Sequence, residues 1–439
     1  MKRIPLDPGV DAYALFAACR EDYPHAFILA SLSGPARLAE QTFVGFDPEV
    51  IISYRAGILR SNGETIKTDR PLDALRGILR ERATPGLPGR YVGGLVGYVS
   101  FEFAHSLDSV PTHADSPFPE FEFGLYLDGV VVDHVRRRAE YFTHVGSRFD
   151  DLPRVPRTTP DFHADPPKPQ TDRRRFMDAV VGAKERILEG EAFQIVLSRR
   201  DSGHMTGDPL ALYESLRKLN PSPYMYYLDF GTRRVIGSSP EMMLRVEDGL
   251  ATTFPIAGTR PLGTTLAESE RHRADLLADE KERAEHTMLV DLARNDLGRV
   301  CRFGTVRVPQ FMTVERYSHV QHIVSRVEGT LAAGKDALDA FGAVFPAGTV
   351  SGAPKPRAME ILHDLEGTAR GPYAGVVGYL SLNGNLDTAI AIRTLFADGP
   401  TYYLQAGAGI VADSDPAREW METEYKADAL RSALVEASN

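Results

Sequence analysis

The sequence predicts an α+β fold, and three observations support this prediction. Segments with helical periodicity follow a proline-rich stretch at 153–170 and also close the chain. Short strand-like runs are separated by Asn-Gly and Gly-Pro dipeptides, which is the punctuation of a hairpin-rich sheet. A nucleotide-binding α/β fold has no support, because the sequence has no Walker loop and no Gly-x-Gly-x-x-Gly run after a predicted strand.

The proline-rich stretch marks the clearest boundary in the chain. Its prolines are Pro153, Pro156, Pro160, Pro166, Pro167 and Pro169. Because proline lacks a backbone N–H and fixes φ, we expect residues 153–170 to form an extended linker. This linker divides an N-terminal portion, 1–152, from a C-terminal portion, 171–439. In the first portion, the run 126–134 and the Gly-rich turns around 92–97 suggest antiparallel sheet.

The C-terminal portion begins with a predicted amphipathic helix. Apolar residues recur there at helical spacing, at Phe176, Val180, Ala183 and Ile187. Thr171 and Asp172 are candidate N-caps, and Gly190 closes the pattern. The apolar run 193–198 that follows is typical of a buried strand.

Further helices and strands are expected in the second half of the chain. One long helix should run from about 266 to 295, and another from about 416 to the end. Three strand-like runs lie between them, at 376–382, 388–394 and 402–406. They are broken at Asn383-Gly384 and Gly399-Pro400, which predicts hairpins.

Composition excludes several classes of protein. The chain has 439 residues, 43% of them hydrophobic, and a formal net charge of −10, which argues against a nucleic-acid partner. An anionic substrate must therefore be bound by a few local cations. Cys19 and Cys301 lie far apart and are expected to be reduced thiols. No signal peptide and no apolar run of membrane-spanning length is seen, so we expect a cytoplasmic protein without a membrane partner.

Two acidic pairs are the first candidate functional residues. Glu282 with Glu285, and Glu419 with Glu422, each have i,i+3 spacing on a predicted helix, so each pair shares one face. A hard divalent cation such as Mg²⁺, held by one or two carboxylates and substrate oxygens, would neutralise them. The alternative is that both pairs lie on solvated helix faces.

Isolated polar residues inside apolar runs are further candidates. His322 lies in a β-like run, where it is either a hydrogen-bonded core histidine or a proton donor and acceptor beside a substrate. Arg393 lies in the apolar run 388–394, where a buried guanidinium requires either a structural carboxylate or an anionic ligand. The Gly-rich segments 345–355 and 405–410 leave backbone N–H groups open to a carboxylate, although each is also compatible with a simple turn.

Together these segments resemble the chorismate-binding enzyme family. The similarity is carried by the runs 193–199, 255–260 and 419–426, and more weakly by 43–48 and 93–98, and covers roughly residues 172–430. The resemblance implies an α/β/β/α sandwich with two large, mostly antiparallel sheets and a cleft between its halves. It also implies a regulatory or scaffold role for 1–152 and a chorismate-binding catalytic role for 171–439.

The resemblance also implies roles for the candidate residues. Glu285 and Glu422 would bind Mg²⁺, with Glu282 and Glu419 as their outer partners. His322 would lie near the departing hydroxyl, and Arg393 with Tyr373 would hold the enolpyruvyl carboxylate. The remaining pocket residues would be Glu241, as a further acid, with Thr349, Gly407, Ala408, Gly409 and Lys426.

Two positions distinguish members of this family. Isochorismate and salicylate synthases have Lys where this chain has Gln194, because attack by water requires a base. Aminodeoxychorismate synthases typically have a nucleophilic Lys where this chain has Ala257. The resemblance therefore implies, with Thr259 in agreement, amination of chorismate by ammonia and loss of pyruvate to give anthranilate.

Partners and rival interpretations follow from the same resemblance. Ammonia would come from a separate glutamine amidotransferase subunit, since the chain shows no catalytic Cys in a nucleophile-elbow context. An aminodeoxychorismate or aminodeoxyisochorismate synthase is the nearest rival. A silent amino-acid-sensing protein would be expected to lack the metal carboxylates, yet Glu285 and Glu422 are present. The remaining alternative is an α+β domain with solvated acidic helices.

Tryptophan feedback is the last implied property. Family members share a Leu-Leu-Glu-Ser motif and an Asn-Pro-Ser-Pro-Tyr-Met motif, which here are Ile28-Leu-Ala-Ser31 and Asn220-Pro-Ser-Pro-Tyr-Met225. The inhibitor residues would be Ser31, Pro223, Tyr224 and Met225. Ala30 replaces the usual Glu and should weaken tryptophan binding. The alternative is that these segments are purely structural.

Overall fold

The computed structural model describes residues 1–34, 38, 40–153, 155–156, 158, 161–317 and 320–439. Two large β-sheets stack face to face, with helices packed on the outer face of each. Every strand pair within the described ranges is antiparallel. The predicted α+β class and the α/β/β/α sandwich are therefore confirmed.

The helices and strands are numbered in chain order over the described residues. The helices are α1 (Ala12–Asp22), α2 (Pro71–Glu81), α3 (Arg173–Leu188), α4 (Leu210–Leu219), α5 (Leu266–Ala278), α6 (Glu280–Gly298), α7 (Ala337–Val344), α8 (Gly348–Ser351), α9 (Lys355–Glu366) and α10 (Pro416–Ala437). The strands of the N-terminal portion and the linker are β1 (Lys2–Leu6), β2 (Phe27–Ala30), β3 (Gln41–Gly45), β4 (Val50–Arg55), β5 (Ile58–Ser61), β6 (Glu64–Lys67), β7 (Gly94–Val99), β8 (Phe121–Tyr126), β9 (Asp128–Asp133), β10 (Arg138–Thr143), β11 (Phe162–Ala164) and β12 (Lys168–Pro169). The later strands are β13 (Gln194–Gly207), β14 (Tyr224–Phe230), β15 (Arg233–Ser239), β16 (Met242–Glu247), β17 (Leu250–Thr253), β18 (Ile256–Pro261), β19 (Arg307–Arg316), β20 (Val320–Thr330), β21 (Gly352–Ala353), β22 (Val376–Ser381), β23 (Leu386–Ile390), β24 (Thr394–Asp398) and β25 (Thr401–Ile410).

Both sheets combine strands from the two portions of the chain. The first sheet has the order β1-β10-β9-β3-β2-β14-β15-β24-β25-β13-β11, and the second has the order β18-β20-β17-β16-β23-β22-β7-β8-β4-β5-β6. The portions meet where β2 pairs with β14 and where β7 pairs with β22. Each portion thus covers a sheet edge of the other, so residues 1–152 and 171–439 share one sandwich.

The linker segment is only partly described. Pro160 and three other residues of this segment, at 154, 157 and 159, lie outside the described residues. The later part of the linker forms β11 and β12, which both pair with β13. The predicted linker thus contributes two short strands to the first sheet.

Aromatic side chains fill the space between the sheets. Phe43 of the first sheet contacts Tyr379 of the second, with ring centroids 5.5 Å apart, and Phe230 contacts Tyr98 at 5.9 Å. A second apolar cluster joins the first sheet to α1, α4 and α10. Burial of these rings supplies the main stabilising free energy of the sandwich.

Most predicted helices are confirmed, with one internal break. Asp172 caps α3 by accepting a hydrogen bond from the Arg175 N–H at 2.9 Å. The final helix begins at Pro416 as expected. The single helix predicted for 266–295 is wrong, because Asp279 separates α5 from α6. Its side chain accepts hydrogen bonds from the first N–H groups of α6 and thereby starts a new helix.

The hairpins at 383–384 and 399–400 are confirmed, but the strand predicted for 388–394 is not continuous. It ends at Ile390, and β24 begins at Thr394. Arg393 between them has a φ of 52°, in the left-handed region. A residue in that conformation cannot continue a strand, so the prediction that placed Arg393 inside a strand is wrong.

Two global expectations can be compared with the described residues. Cys19 and Cys301 are buried free thiols, so the predicted absence of a disulfide between them is confirmed. No helix in the described ranges is long and apolar enough to cross a membrane.

Candidate active site

A cleft of about 760 Å³ opens between the ends of the two sheets. α6 and α10 border it, and β13, β18, β20 and β25 form much of its wall. The cleft brings together nearly all the predicted catalytic, substrate and metal residues, although they are far apart in sequence. These are Gln194, Glu241, Thr259, Glu282, Glu285, His322, Thr349, Tyr373, Arg393, Gly407, Gly409, Glu419, Glu422 and Lys426.

Ala408 is the one predicted pocket residue that does not line the cleft. It lies on β25 between Gly407 and Gly409, and its side chain is fully buried. Alternate residues of a strand point to opposite faces of the sheet, so the side chain at 408 faces away from the cleft. Ala408 can therefore contribute only its backbone to the pocket, and its predicted place there stays a prediction.

Four carboxylates from two helices face this cleft. Glu282 and Glu285 extend from α6, and Glu419 and Glu422 extend from α10. The pKa of Glu285 is raised by burial and by the negative charges of Glu282 and Glu422. A raised pKa caused partly by like charges means that a cation among these groups would be stabilised.

Local cations partly neutralise the carboxylates. Glu422 accepts an ion pair from Lys426 Nζ at 2.6 Å, and Lys426 Nζ also donates to the Gly407 carbonyl at 2.9 Å. Glu282 pairs with Arg260 at 3.1 Å. Lys426, one of the pocket residues that the resemblance implies, thus lies against Glu422.

The cleft carboxylates could supply only part of the coordination of a metal ion. Among the described residues, no group of three or more His, Cys, Asp or Glu side chains is arranged to hold a metal ion. Mg²⁺ is commonly held by one or two carboxylates together with water and substrate oxygens. Glu285 and Glu422, which face each other across the cleft, suit that partial coordination.

Gln194 has an oriented amide at the start of β13. Its Nε2 donates a hydrogen bond to Glu285 Oε1 at 2.9 Å. Its Oε1 is buried and has no hydrogen-bond partner among the described residues. A Cβ at residue 409 would lie 2.6 Å from Nε2, so a larger residue there would displace the Gln194 amide from this position.

Glu241 and Thr349 form a hydrogen-bonded pair in the cleft. Thr349 Oγ1 donates to Glu241 Oε1 at 2.6 Å. Burial raises the pKa of Glu241 to about 7. A carboxyl group with this pKa can both accept and donate a proton near neutral pH.

His322 extends from β20 towards β18. Its Nδ1 lies 2.9 Å from the Gly258 carbonyl and 3.1 Å from Thr259 Oγ1. The carbonyl can only accept, so it holds the imidazole proton on Nδ1 and leaves Nε2 as an acceptor. Burial lowers the pKa of His322, which keeps the ring neutral near pH 7.

Arg393 and Tyr373 provide a site for an anion. Burial lowers the pKa of Arg393, whereas the acidic groups around it favour its charged form. Its guanidinium makes no ion pair with any described residue. Burial raises the pKa of Tyr373 to about 12, so its hydroxyl remains a donor. A Cβ at Gly407 would lie 2.8 Å from that hydroxyl, which explains the glycine there.

Several cleft residues were not predicted from sequence. Lys281 precedes Glu282 and pairs with Asp413 at 3.1 Å, and Tyr317 contacts the His322 ring with centroids 5.2 Å apart. Gln405 donates from Nε2 to Ser198 Oγ at 2.8 Å, and its buried Oε1 has no described partner. A polar amide inside the apolar strand 402–406 was the available signal for Gln405.

A second, much smaller cavity lies beside the junction of β2 and β14. Its volume is about 40 Å³, and Ala30, Ser31, Tyr224 and Met225 contribute to its wall. Ser31 Oγ donates to the Pro223 carbonyl at 2.7 Å. The predicted inhibitor residues are therefore neighbours in space, whereas their role stays a prediction.

An unpredicted carboxylate also reaches this second cavity. Asp387 accepts a hydrogen bond from Tyr224 Oη at 3.0 Å and from Arg245 Nε at 2.8 Å. Its oxygens are thus already engaged by neighbouring donors. Nothing near Asp387 in the sequence indicated this placement, because the contact depends on pairing between β16 and β23.

Comparison with known proteins defines the class of this protein. The model of the chorismate binding enzyme family matches residues 25–432. This range covers the cleft and both halves of the sandwich. The chain therefore belongs to the chorismate binding enzyme family.

Within that family, similar proteins carry one particular name. The chain is 49% identical over 433 residues to "Anthranilate synthase component 1" of Methanothermobacter marburgensis, covering 97% of this chain and 93% of that protein. It is 40% identical to the protein of the same name from Saccharolobus solfataricus, covering 98% of each. The solved structure of anthranilate synthase component I from Streptococcus pneumoniae TIGR4 superposes with a TM-score of 0.79 at 36% identity, covering 90% of this chain and 92% of that one.

Proposed function

We propose that this chain is the large subunit of an anthranilate synthase, a Mg²⁺-dependent lyase that converts chorismate and ammonia to anthranilate, pyruvate and water. The observation that carries the proposal is the cleft itself. It brings Glu285 and Glu422 into one cavity with Arg393, whose guanidinium makes no ion pair with a described residue, and it sets the neutral amide of Gln194 beside Glu285. The names and coverage of the similar proteins support the same activity.

Substrate binding follows from charge. Chorismate carries two carboxylates, and a chain with a net charge of −10 needs local positive groups to bind it. Arg393 forms a bidentate pair with the enolpyruvyl carboxylate, and Tyr373 donates a hydrogen bond to it. Because Gly407 and Gly409 have no side chains, the substrate can lie against the backbone of β25.

Glu285 and Glu422 would hold Mg²⁺, and Glu282 and Glu419 would orient them from outside. A bound divalent cation supplies Lewis-acid neutralisation of the ring carboxylate and of the charge that develops on the departing oxygen. Lys426 then holds Glu422 in place through their ion pair. The carboxylates would otherwise repel one another, as the raised pKa of Glu285 indicates.

Amination requires a neutral nitrogen nucleophile rather than an activated water. Gln194 cannot deprotonate water, but its unpartnered Oε1 accepts an N–H of ammonia beside the ring. The ammonia nitrogen forms the new bond to the ring and gives up one proton. The bond from the ring to the hydroxyl breaks, and the hydroxyl takes up one proton and leaves as water. His322 lies on the side of this departing group, with Nε2 directed away from its Gly258 contact.

Pyruvate elimination completes the reaction. The proton on the aminated ring carbon must be removed, the bond to the enolpyruvyl oxygen must break, and the enolpyruvyl carbon must gain a proton. Glu241, with its pKa near 7 and its fixed contact to Thr349, is suited to such proton transfer. The products are then anthranilate and pyruvate.

The ammonia source would be a separate glutamine amidotransferase subunit. The words "component 1" in the names of the similar proteins support a partner component. We therefore expect the purified chain to use ammonium salts alone, and to use glutamine only after a glutaminase subunit is added. The buried free thiols Cys19 and Cys301 suit a reducing compartment such as the cytoplasm.

A product assay tests the proposal directly. Purified chain, chorismate, Mg²⁺ and an ammonium salt should give the fluorescence of anthranilate together with stoichiometric pyruvate. Accumulation of an aminated product without pyruvate would instead identify an aminodeoxychorismate or aminodeoxyisochorismate synthase. Turnover of chorismate without ammonium would contradict the proposed nucleophile.

Tryptophan is the proposed feedback inhibitor, bound near Ser31, Pro223, Tyr224 and Met225. The cavity at this position touches strands of both sheets and lies at the junction of the two portions. A ligand there would change the spacing between the sheets that border the active-site cleft. This arrangement supports allosteric control, without contact between tryptophan and the metal-binding carboxylates.

A further inference from the structure

Arg199 makes a concentrated set of contacts behind the wall of the cleft. It extends from β13, and its side chain is 1% exposed. Nε donates to Thr423 Oγ1 at 2.8 Å, and Nη1 donates to Asp201 Oδ1 at 2.7 Å. Nη2 pairs with Glu424, and the guanidinium carbon lies 4.3 Å from the centre of the Trp420 ring. A single buried side chain thus joins β13 to α10 through a hydrogen bond, an ion pair and a cation–π contact.

The contacts of Arg199 continue into the backbone of α10. Thr423 Oγ1 accepts from Arg199 and donates to the Trp420 carbonyl at 2.7 Å. Trp420 also packs against Phe176 of α3, with ring centroids 5.8 Å apart. Thr423 and Trp420 lie on the buried face of α10, directly behind the residues that face the cleft.

The adjacent side of α10, which lines the cleft, carries Glu419, Glu422 and Lys426. Glu419 precedes Trp420, and Glu422 precedes Thr423. A helix moves as a stiff unit over one turn, so whatever fixes Trp420 and Thr423 also fixes the two neighbouring carboxylates. Arg199 touches none of the cleft carboxylates itself.

We propose that Arg199 is a positioning residue that sets the cleft carboxylates of α10, and thereby the affinity for a divalent cation. This inference rests on the proposed metal role of Glu422. The ion pair with Asp201 lies within β13, so it cannot by itself position α10. The contacts of Arg199 with Thr423, Glu424 and Trp420 can do so. A lysine at this position keeps the charge but cannot reach Thr423 and Glu424 together, nor lie flat on Trp420.

Arg431 provides a matched control within the same charge network. It donates to Asp201 Oδ2 at 2.6 Å and to Glu424 Oε2 at 2.7 Å, but it makes no described contact with Thr423 or Trp420. Arg431→Lys therefore disturbs the same carboxylates while leaving the Arg199 contacts to the helix backbone in place. Thr423→Val removes only the bridging hydroxyl at nearly constant volume.

The test measures Mn²⁺ binding to the full chain by electron paramagnetic resonance, with chorismate present and ammonium omitted. Removing a direct outer partner of a metal ligand typically weakens metal affinity by about 10- to 100-fold. Because Arg199 acts through Thr423 and Trp420 rather than on the carboxylates themselves, we expect Arg199→Lys to weaken Mn²⁺ binding by about tenfold, at the lower end of that range. Thr423→Val should shift the affinity in the same direction, and Arg431→Lys should leave it unchanged. Circular dichroism and thermal denaturation check that each variant remains folded.

The outcomes separate this inference from the proposed metal site. Wild-type Mn²⁺ affinity in folded Arg199→Lys would overturn the positioning role, and so would an equal loss in Arg431→Lys. If Arg199→Lys does not fold, the same decision is made with Thr423→Val. If the wild-type chain binds no Mn²⁺, the metal site itself is refuted, and the role of Arg199 is refuted with it.

Discussion

Gln194 has one end of its amide fixed and the other end open. The hydrogen bond from Nε2 to Glu285 orients the group, so the buried Oε1 is presented as an acceptor without a described donor. An acceptor left unpaired in a buried site is costly, and a ligand that brings an N–H relieves that cost. This explains how a neutral residue can favour ammonia as the nucleophile without acting as a base.

Replacing either proposed metal ligand should abolish activity while the fold remains. Glu285→Gln and Glu422→Gln each keep the side-chain volume and remove the charge that attracts Mg²⁺. Anthranilate formation should be lost at all Mg²⁺ concentrations tested, with unchanged circular dichroism. Glu280→Gln is the control and should behave as wild type, because Glu280 is an exposed residue of α6, the helix that carries Glu285. Normal turnover by either cleft variant at saturating Mg²⁺ would refute the metal assignment.

Arg393→Lys should harm chorismate use more than turnover itself. A lysine ammonium cannot reproduce the bidentate pair that a guanidinium forms with a carboxylate. Hydrogen bonds to charged groups are worth about 1.5–3 kcal/mol, which predicts a fall in kcat/KM for chorismate of roughly 10- to 100-fold. The KM for ammonium should not change. Arg418→Lys, at an exposed position on α10, is the control; an equal effect there would contradict the assigned contact.

Glu241 should give the pH profile of the reaction an ionisation near neutrality. Burial raises its pKa to about 7, and proton abstraction requires the deprotonated form, so activity should rise as the pH increases through 7. Glu241→Gln should lose this rise together with most of the activity. Glu102 is the matched control, because burial also raises its pKa to about 7 although it lies away from the cleft. Glu102→Gln should retain the ionisation, and its disappearance there would exclude Glu241 as the source.

The same two carboxyl groups affect stability with a definite sign. Their pKa rises from 4.5 to about 7 on folding, so the native state binds more protons than the unfolded state between those values. Each group therefore lowers the free energy of unfolding least below pH 4.5, where it is protonated in both states. The free energy of unfolding then decreases as the pH rises from 4.5 towards 7. Chemical denaturation should show a smaller decrease over this window in Glu241→Gln and in Glu102→Gln than in the wild type.

At the scale of the helix, Asp279 links local structure to the site. It caps α6, which carries Glu282 and Glu285, and it also pairs with Arg260 at 2.9 Å. Asp279→Ala should cost about 1 kcal/mol of stability and should also raise the Mg²⁺ concentration needed for half-maximal activity. Asp172→Ala removes the cap of α3, which carries no cleft carboxylate, and should cost similar stability without the Mg²⁺ effect. An unchanged Mg²⁺ requirement in Asp279→Ala would show that the Asp279 cap does not affect Mg²⁺ binding.

Elements governed by local signals could be predicted from the sequence. The helix after Asp172 and the hairpins at 383–384 and 399–400 depend on caps, periodicity and turn residues that are close together in the chain. The break at Asp279 was missed because the flanking residues are all good helix formers. The left-handed conformation of Arg393 was missed because burial and tertiary contacts, rather than its own preference, impose it.

At the scale of the whole molecule, the sequence predicted which residues share the cleft better than it predicted which strands share a sheet. The cleft residues were found through a resemblance whose motifs lie at separate points of the chain. The pairing of β2 with β14 and of β7 with β22 is long-range and has no local signal. The same limit explains why Asp387 and Gln405 were missed, since their neighbours come from distant strands.

The junction between the two portions is where tryptophan feedback should be tested. The cavity beside Ser31 and Tyr224 has a volume of about 40 Å³, which is too small for an indole ring without movement of the strands around it. Tryptophan binding would therefore require the sheets to separate slightly. This movement would reach the cleft through the segments 31–34 and 220–225, each of which lines the cavity at one end and the cleft at the other. Asp387 is a poor partner for the inhibitor ammonium, because Arg245 and Tyr224 already engage its oxygens.

Ala30→Glu should therefore tighten tryptophan binding. Ala30 is the last residue of β2 and borders this cavity, while its methyl group packs in the apolar cluster on the outer face of the first sheet. A glutamate side chain is long enough to turn at this strand end and bring a carboxylate to the cavity. A charge-assisted hydrogen bond to an ammonium is worth about 1.5–3 kcal/mol, or roughly 10- to 100-fold in affinity. Ala30→Gln has nearly the same size without the charge, and it should gain much less. Calorimetry with tryptophan measures the affinity of the wild type and of both variants. If neither the wild type nor Ala30→Glu binds tryptophan at millimolar ligand, the inhibitor site is refuted, and the segments at 28–31 and 220–225 are structural only.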